Sequence, residues 1–508
     1  MSTLDGARGT DPYRRCHTNT GAAMMRPSRL EGDELDCTTI VVGRSASQSG
    51  CLVIGHNEDD AHRLVVRHHI IKVGEHPGAT RLSDGTLLYR EPHTSLELSV
   101  PKDTLAYDWT ELVGQDFADS FLNSKGVNIC CDSAAGTREQ QPELERGGIG
   151  HFLPQLVAQQ AHSAREGVLL AGRLIKEYGY CDARIITVAD QHEAWILQIP
   201  GGHEWLAERV PDDAIVLLPN YLISRQVDLA NTDRFLASAD LEAHAIQRGW
   251  HDPSGTEPFD FKKAYGPPEI NASSLSTSRQ QTGLFMLTGQ EFPLDNMPFS
   301  YVPQHLVSLG DVMACLRCVT PHGQSIQQAL EMSGSFHKNV TQTTMRPISV
   351  WTTQESSVTE LRSQAPEPQS VTVWRASGIP DELPYTPWYP LAMMETVPGY
   401  PDPYAAGDPD HLDMSSAFWT FRLFVTAVDS NYAKRIAEVQ AVVLPLEKQA
   451  IAVDKLLQNM RVDTNTSRET IARLLTACGE GLGMEALSIC RELLRQWQTN
   501  SERTPFKK

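Results

Sequence analysis

The 508-residue chain contains no run of about 18 apolar residues, the length a helix needs to cross a bilayer, so a membrane-spanning helix is not expected. It is also short of positive charge: 44 Lys and Arg stand against 63 Asp and Glu, for a formal net charge of −19. Phosphate contacts need a basic surface, so a nucleic-acid partner is disfavoured. Cysteine is sparse, ten residues in the whole chain, too few for a small disulfide scaffold. Neither the adjacent Cys130 and Cys131 nor the pair Cys315 and Cys318 makes a repeated metal pattern, and no metal or cofactor is expected. No Gly-rich phosphate loop, no His-Glu-x-x-His pair and no Gly-x-Ser-x-Gly elbow is present. His68 and His69 have no acidic or thiol partner at ligand spacing. Charge and thiols together fit a soluble cytoplasmic protein.

What is there supports a large folded core, with 41% hydrophobic and 21% charged residues. Residues 1–36 carry no apolar stretch of signal-peptide length and read as a polar leader. Ordered structure is expected to begin at Cys37. The run Cys37-Thr38-Thr39-Ile40-Val41-Val42-Gly43 and the run Cys51-Leu52-Val53-Ile54-Gly55 read as two strands of a hairpin around a small polar loop. The second strand is expected to end in the polar cluster His56-Asn57-Glu58-Asp59-Asp60.

Residues 151–178 have a helical apolar stripe closed by Gly179, and strands follow at 184–189, 193–199, 205–210 and 214–218. Strands, helix and strands in that order suggest a layered α+β domain over 37–360. Ten of the 31 prolines fall within 361–410, so 361–414 reads as an irregular Pro-rich arm. Residues 415–508 turn helical again, with Gly479-Glu480-Gly481-Leu482-Gly483 as a helix break.

The start of the hairpin is chemically suggestive. Were Cys37 the N-terminus, its thiol and α-amine would lie on one residue. An amine with a pKa of about 8 can take the proton of a thiol with a pKa of about 8.5. Such a nucleophile needs its amine held, which Asp59 at the end of the paired strand could do. It also needs donors for a tetrahedral oxyanion, a task suited to Asn amides. Taken singly, Cys37 is an ordinary buried thiol, Asp59 a turn cap and Asn220 loop chemistry. Trp195 and Trp205 read as core or wall aromatics.

From Cys37 onward the chain resembles a known family. The opening Cys37-Thr38-Thr39-Ile40-Val41-Val42-Gly43, Gly50 and Gly55-His56-Asn57-Glu58-Asp59 is similar to that of the N-terminal-cysteine dipeptidases of the PepD type, related to the secernins. The likeness continues through Leu122-Asn123-Ser124-Lys125-Gly126-Val127, Ala189-Asp190-Gln191-His192-Glu193-Ala194-Trp195, and Gly201 to Asp213. It extends to Leu218-Pro219-Asn220-Tyr221, Asp260 to Tyr265, and Ser416-Ala417-Phe418-Trp419.

The resemblance implies an N-terminal-nucleophile (Ntn) hydrolase fold, a four-layer αββα sandwich, here with an added C-terminal helical region. It also implies leader removal, often autocatalytic, and hydrolysis of dipeptides. Carried over by position, Cys37 is the nucleophile, Asp59 orients its amine, Asn220 is the oxyanion donor, and Asn123 lends a further donor.

One position departs from the pattern. Three residues before the aspartate, related hydrolases commonly carry Arg, whereas this chain has His56. An imidazole is shorter and can be neutral, so His56 bears on substrate binding and on protonation around Cys37. The expected partner is a short peptide substrate, with no nucleic acid and no membrane, and homo-oligomerisation is left open. Two other functions remain: an amidase or acyltransferase of the bile-salt or penicillin-amide type, and a secernin-like binding protein.

Overall fold

The computed structural model describes residues 37–60, 65–112, 120–134, 136–140, 142, 144–255, 258–294, 296–323, 346–396, 411–460 and 467–502. The expected leader over 1–36, with the Asp36–Cys37 bond, lies outside the described residues.

In chain order the strands are β1 (Thr38–Val42), β2 (Leu52–Asp59), β3 (Val66–Ile71), β4 (Ala79–Arg81), β5 (Leu87–Arg90) and β6 (Glu97–Ser99). Then come β7 (Tyr107–Leu112), β8 (Ser120–Asn123), β9 (Asn128–Ser133), β10 (Arg184–Ala189), β11 (Ala194–Ile199) and β12 (Leu206–Arg209). The last are β13 (Ile215–Leu218), β14 (Phe235–Ala237), β15 (Thr353–Leu361), β16 (Val371–Ala376) and β17 (Thr386–Trp388). The helices are α1 (Phe152–Gln160), α2 (Ala164–Tyr178), α3 (Leu241–Gln247), α4 (Phe261–Tyr265), α5 (Pro268–Asn271) and α6 (Ser274–Thr288). They continue with α7 (Leu309–Leu316), α8 (Pro390–Thr396), α9 (Ala417–Asp429), α10 (Tyr432–Gln458) and α11 (Arg468–Glu502).

Two antiparallel sheets carry the fold. One runs β13-β1-β2-β15-β16-β17 and the other β14-β12-β11-β10-β9-β8-β7-β3, while β4-β5-β6 form a small separate sheet. The first strand is β-branched and wholly buried, as its composition requires of an interior position. The sheets face each other, since Thr39 of β1 bonds Asp132 of β9 and Arg375 of β16 bonds Asp108 of β7. On the outer face of the larger sheet, Val157, Val168, Ala171 and Ile175 of α1 and α2 share one core with Ile186, Val188, Trp195 and Leu197. On the outer face of the other, α6 and α7 lie so close that a Cβ at Gly55 would meet Val312, and one at Gly283 would meet Leu217. Helix, sheet, sheet, helix is the αββα order expected.

Three expectations need correction. The helix over 151–178 is two helices: Ser163 caps α2 by accepting from the Glu166 backbone N–H, and Ala161 just before it is extended. The arm expected over 361–414 instead supplies β16, β17 and α8. Its prolines are accommodated because β17 is an edge strand, where Pro387 needs no ladder donor. Residues 397–410 of that stretch lie outside the described residues.

The glycines at 479, 481 and 483 do not break a helix, for α11 runs through them. A Cβ at Gly479 would stand 2.9 Å from the Pro387 carbonyl oxygen, so this glycine lets α11 lie against β17. Among the described residues, no helix is long and apolar enough to cross a membrane.

Candidate active site

The polar cluster expected at the end of the second strand lies inside it as far as Asp59. β2 continues to Asp59, with every residue from Leu52 buried, and pairs with β1 so that Thr38 faces Asn57 and Thr39 faces His56. A strand's period of two then sorts the side chains. Cys37, Thr39, His56 and Glu58 point toward the second sheet, whereas Thr38, Asn57 and Asp59 point toward α6 and α7.

On the inter-sheet face, the Cys37 Sγ lies 3.4 Å from Glu58 Oε2 and 3.9 Å from the Asp59 carbonyl oxygen. The same Glu58 oxygen is 3.3 Å from His56 Nε2. His56 Nδ1 is 2.7 Å from Thr39 Oγ1, whose hydroxyl donates to Asp132 Oδ2 at 2.7 Å. A hydroxyl has one proton to give. With it committed to Asp132, His56 Nδ1 is the N–H donor to Thr39, and Nε2 is the nitrogen that faces Glu58. Glu355, opposite Glu58 on β15, belongs to a second group: His68 Nε2 is 3.1 Å from it, and Arg375 bridges His68 and Asp108.

On the helix face, Asp59 accepts from Arg346 Nη2 at 2.8 Å and from Thr353 Oγ1 at 2.5 Å. Burial pushes its carboxyl above the usual carboxylate range, against the opposing pull of Arg346 and Thr353.

Arg279 of α6, 1% exposed, ties the head of β1 to the end of β13. Its Nη1 donates to the Cys37 carbonyl at 2.7 Å and to Thr38 Oγ1 at 3.0 Å. Its Nη2 donates to Asn220 Oδ1 at 2.6 Å and to Ser276 Oγ at 3.3 Å. Asn220 Nδ2 donates in turn to the Ser133 carbonyl at 2.9 Å. The planar fork of a guanidinium serves these diverging acceptors at once.

Of the residues singled out in the sequence, Cys37, His56, Asp59 and Asn220 are therefore brought to one end of β1 and β2. Asn123 is not placed with them. Its Nδ2 donates to the Ala158 and Ala161 carbonyls at 3.0 and 2.8 Å, and its Oδ1 accepts from the Lys125 and Val127 backbone N–H groups at 3.0 and 3.1 Å. Four bonds use the whole capacity of an amide, so Asn123 organises the β8–β9 turn under α1. The Ala189–Trp195 motif is similarly structural, with Asp190 accepting from His192 and Glu193 in the β10–β11 turn. Trp195 and Trp205 sit in the core behind it.

Sequence reasoning missed Arg279, Arg346 and the part played by Glu58. Arg279 lies in Ser-Leu-Ser-Thr-Ser-Arg-Gln-Gln-Thr, whose buried positions include Ser276, Thr277, Ser278 and Gln280. An apolar stripe cannot reveal such a face. Glu58 stood in the quoted motif, and period two along β2 is the signal that would have placed it beside His56.

The family model for peptidase family C69 matches residues 36–444. A probable dipeptidase of Latilactobacillus sakei is 24% identical over 480 residues, covering 89% of this chain and 97% of the relative. A dipeptidase of Bifidobacterium longum is 25% identical over 438 residues, 78% of each chain. Among solved structures, penicillin V acylase from Agrobacterium tumefaciens is similar at a TM-score of 0.33, with 11% identity, 69% of this chain and 84% of that one covered. The match of the family model over most of its length shows that the chain belongs to peptidase family C69.

Proposed function

We propose that the protein is a cysteine dipeptidase, hydrolysing short peptides through an acyl-enzyme on Cys37 once residues 1–36 have been removed. The observation that carries this reading is the clamp at the head of β1: one buried guanidinium, Arg279, holds the backbone of Cys37 and the amide of Asn220 together. The dipeptidase names of the relatives support the substrate class.

Cleavage before Cys37 frees its α-amine. The amine takes the thiol proton, and the thiolate attacks the carbonyl of the scissile peptide bond. Asn220 Nδ2, with its position set by Arg279, donates to the oxyanion. The proton held by the amine passes to the leaving amino group as the C–N bond breaks, leaving a thioester on Cys37. Water then hydrolyses the thioester, the amine again serving as base.

In this reading Asp59, held by Arg346 and Thr353, anchors the strand end beside the amine. His56 and Glu58 stand next to the thiol. The substrate remains a peptide in this reading, and a cytoplasmic location fits the reduced thiols.

Intact mass of purified protein, taken with turnover of a panel of dipeptides, tests it. Active protein is expected to have the mass of residues 37–508, and Cys37→Ala is expected to be folded and inactive. Full turnover by protein that retains its leader, or by Cys37→Ala, would refute it.

A further inference from the structure

The geometry points to a zinc site made by Cys37, His56 and Glu58, in which the ion caps the thiol and holds the enzyme inactive. Coordination itself needs only these three side chains; that occupancy inhibits rests on the function proposed above.

The three side chains are buried, and their Sγ, imidazole nitrogen and carboxylate oxygen lie within 4.8 Å of one another. More telling are the separations. Tetrahedral Zn2+ with bonds of about 2.3 Å to sulfur and about 2.0–2.2 Å to nitrogen and oxygen sets S···O at roughly 3.6 Å and N···O at roughly 3.4 Å. The corresponding distances here are 3.4 Å from Cys37 Sγ to Glu58 Oε2 and 3.3 Å from His56 Nε2 to the same oxygen. The third separation, sulfur to imidazole nitrogen, is within 4.8 Å against roughly 3.6 Å in such a site, so closing about an ion calls for a side-chain movement of at most about 1 Å.

The ligand types match as well. Thiolate, imidazole and carboxylate form a mixed S, N, O set that suits Zn2+ and poorly suits Mg2+ or Ca2+, which take oxygen ligands. Behind the imidazole stands a relay typical of bound metals: His56 Nδ1 donates to Thr39, and Thr39 donates to the Asp132 carboxylate. That relay fixes the ring so that Nε2 is the nitrogen facing the thiol and the carboxylate.

The protons also balance. Zn2+ displaces the thiol proton of Cys37, which passes to the buffer, and is held further by the Nε2 lone pair of His56 and a carboxylate oxygen of Glu58. With both sulfur lone-pair donation and the thiol's access taken by the ion, Cys37 cannot attack a carbonyl. The feature belongs to this chain's own residues, because an arginine in place of His56 would offer a permanent positive charge and no ligand.

The test uses leader-free protein stripped with a chelator, then titrated with Zn2+ and, as a spectroscopic probe, Co2+. Expected are one equivalent of bound metal, a thiolate-to-cobalt charge-transfer band with the visible bands of a tetrahedral site, and loss of dipeptide hydrolysis on adding Zn2+ that EDTA reverses. His56→Gln and Glu58→Gln, shown folded by circular dichroism, should lose the cobalt spectrum. Thr39→Val should bind about 10–100-fold more weakly, as loss of a supporting partner does.

Three results overturn the site: no stoichiometric metal in wild type, a cobalt spectrum without a thiolate band, or an unchanged spectrum in folded His56→Gln. Stripped protein that hydrolyses dipeptides but binds no metal refutes the site and spares the proposed function. Stripped protein that is inactive yet shows the thiolate–cobalt band refutes the function and spares the coordination. Activity that rises with Zn2+ overturns the capping role.

Discussion

Replacing Arg279 by lysine probes how the site is held. The hydrogen bonds of the guanidinium include those to the Cys37 carbonyl, Thr38 Oγ1, Asn220 Oδ1, Ser276 Oγ and the Leu275 carbonyl. A lysine ammonium cannot span both the Cys37 carbonyl and the Asn220 oxygen, so one acceptor is left buried and unbonded, at about 1–3 kcal/mol. That is a tolerable fraction of a stability of about 5–15 kcal/mol, and the variant should fold. Arg279→Ala strands both acceptors and opens a cavity, which makes it the poorer experiment.

Catalysis should suffer more than stability. With Asn220 no longer fixed, the oxyanion donor of the proposed mechanism is misplaced, and removal of such a donor costs about 100–1,000-fold in kcat. The expected result for Arg279→Lys is therefore a kcat lower by about that factor with KM little changed.

A cycle with Asn220→Ala isolates the mechanism. If Arg279 acts through Asn220, the double variant should be no slower than about twofold below the worse single variant. Losses that multiply, or a folded Arg279→Lys variant with kcat within about twofold of wild type, would refute the reasoning.

Asn123→Ala should lower stability by roughly 2–4 kcal/mol, measured in urea, through loss of several bonds of about 1 kcal/mol each, while kcat per folded molecule is retained. Asp59 sits buried with its carboxyl pushed up, so the folded state holds its proton more tightly than the unfolded state. Its contribution is full below the ordinary value of about 4 and declines as pH rises through the shifted value; the urea midpoint of wild type relative to Asp59→Asn should fall over that window and then level off. Gly479→Ala should reduce the melting temperature without altering kcat, because the new Cβ meets the Pro387 carbonyl at 2.9 Å and pushes α11 off β17.

The legible parts of this molecule are those where burial and apolarity coincide. β1, the strands of 184–218 and the C-terminal helices follow from β-branched runs and apolar stripes, and Cys37 stands at the head of the strand where the residues put it. The site itself breaks that coincidence. His56, Asn57, Glu58 and Asp59 read as the polar end of a strand, yet all four are buried within it, and Asn57 and Asp59 bond partners 259 and 294 residues along the chain. Thr353 and Arg346 reach Asp59 from nearly three hundred residues away, and no local pattern records such a bond. The prolines of 361–410 misled for a related reason: at an edge strand they do no harm, and composition does not say which strands are edges.

The place of β1 in its sheet has a consequence in time. Its neighbours are β13 on one side and β2 on the other, and β2 is completed only by β15, so Asp59 waits 294 residues for Thr353. At about 5–20 residues per second, translation takes roughly 15–60 s to supply that partner after Asp59 has been made. For most of that interval Cys37 also lacks its clamp, because Arg279 lies 242 residues beyond it. On the function proposed above, the reactivity of Cys37 is thus a property the chain acquires only after residues as far as Thr353 have been made.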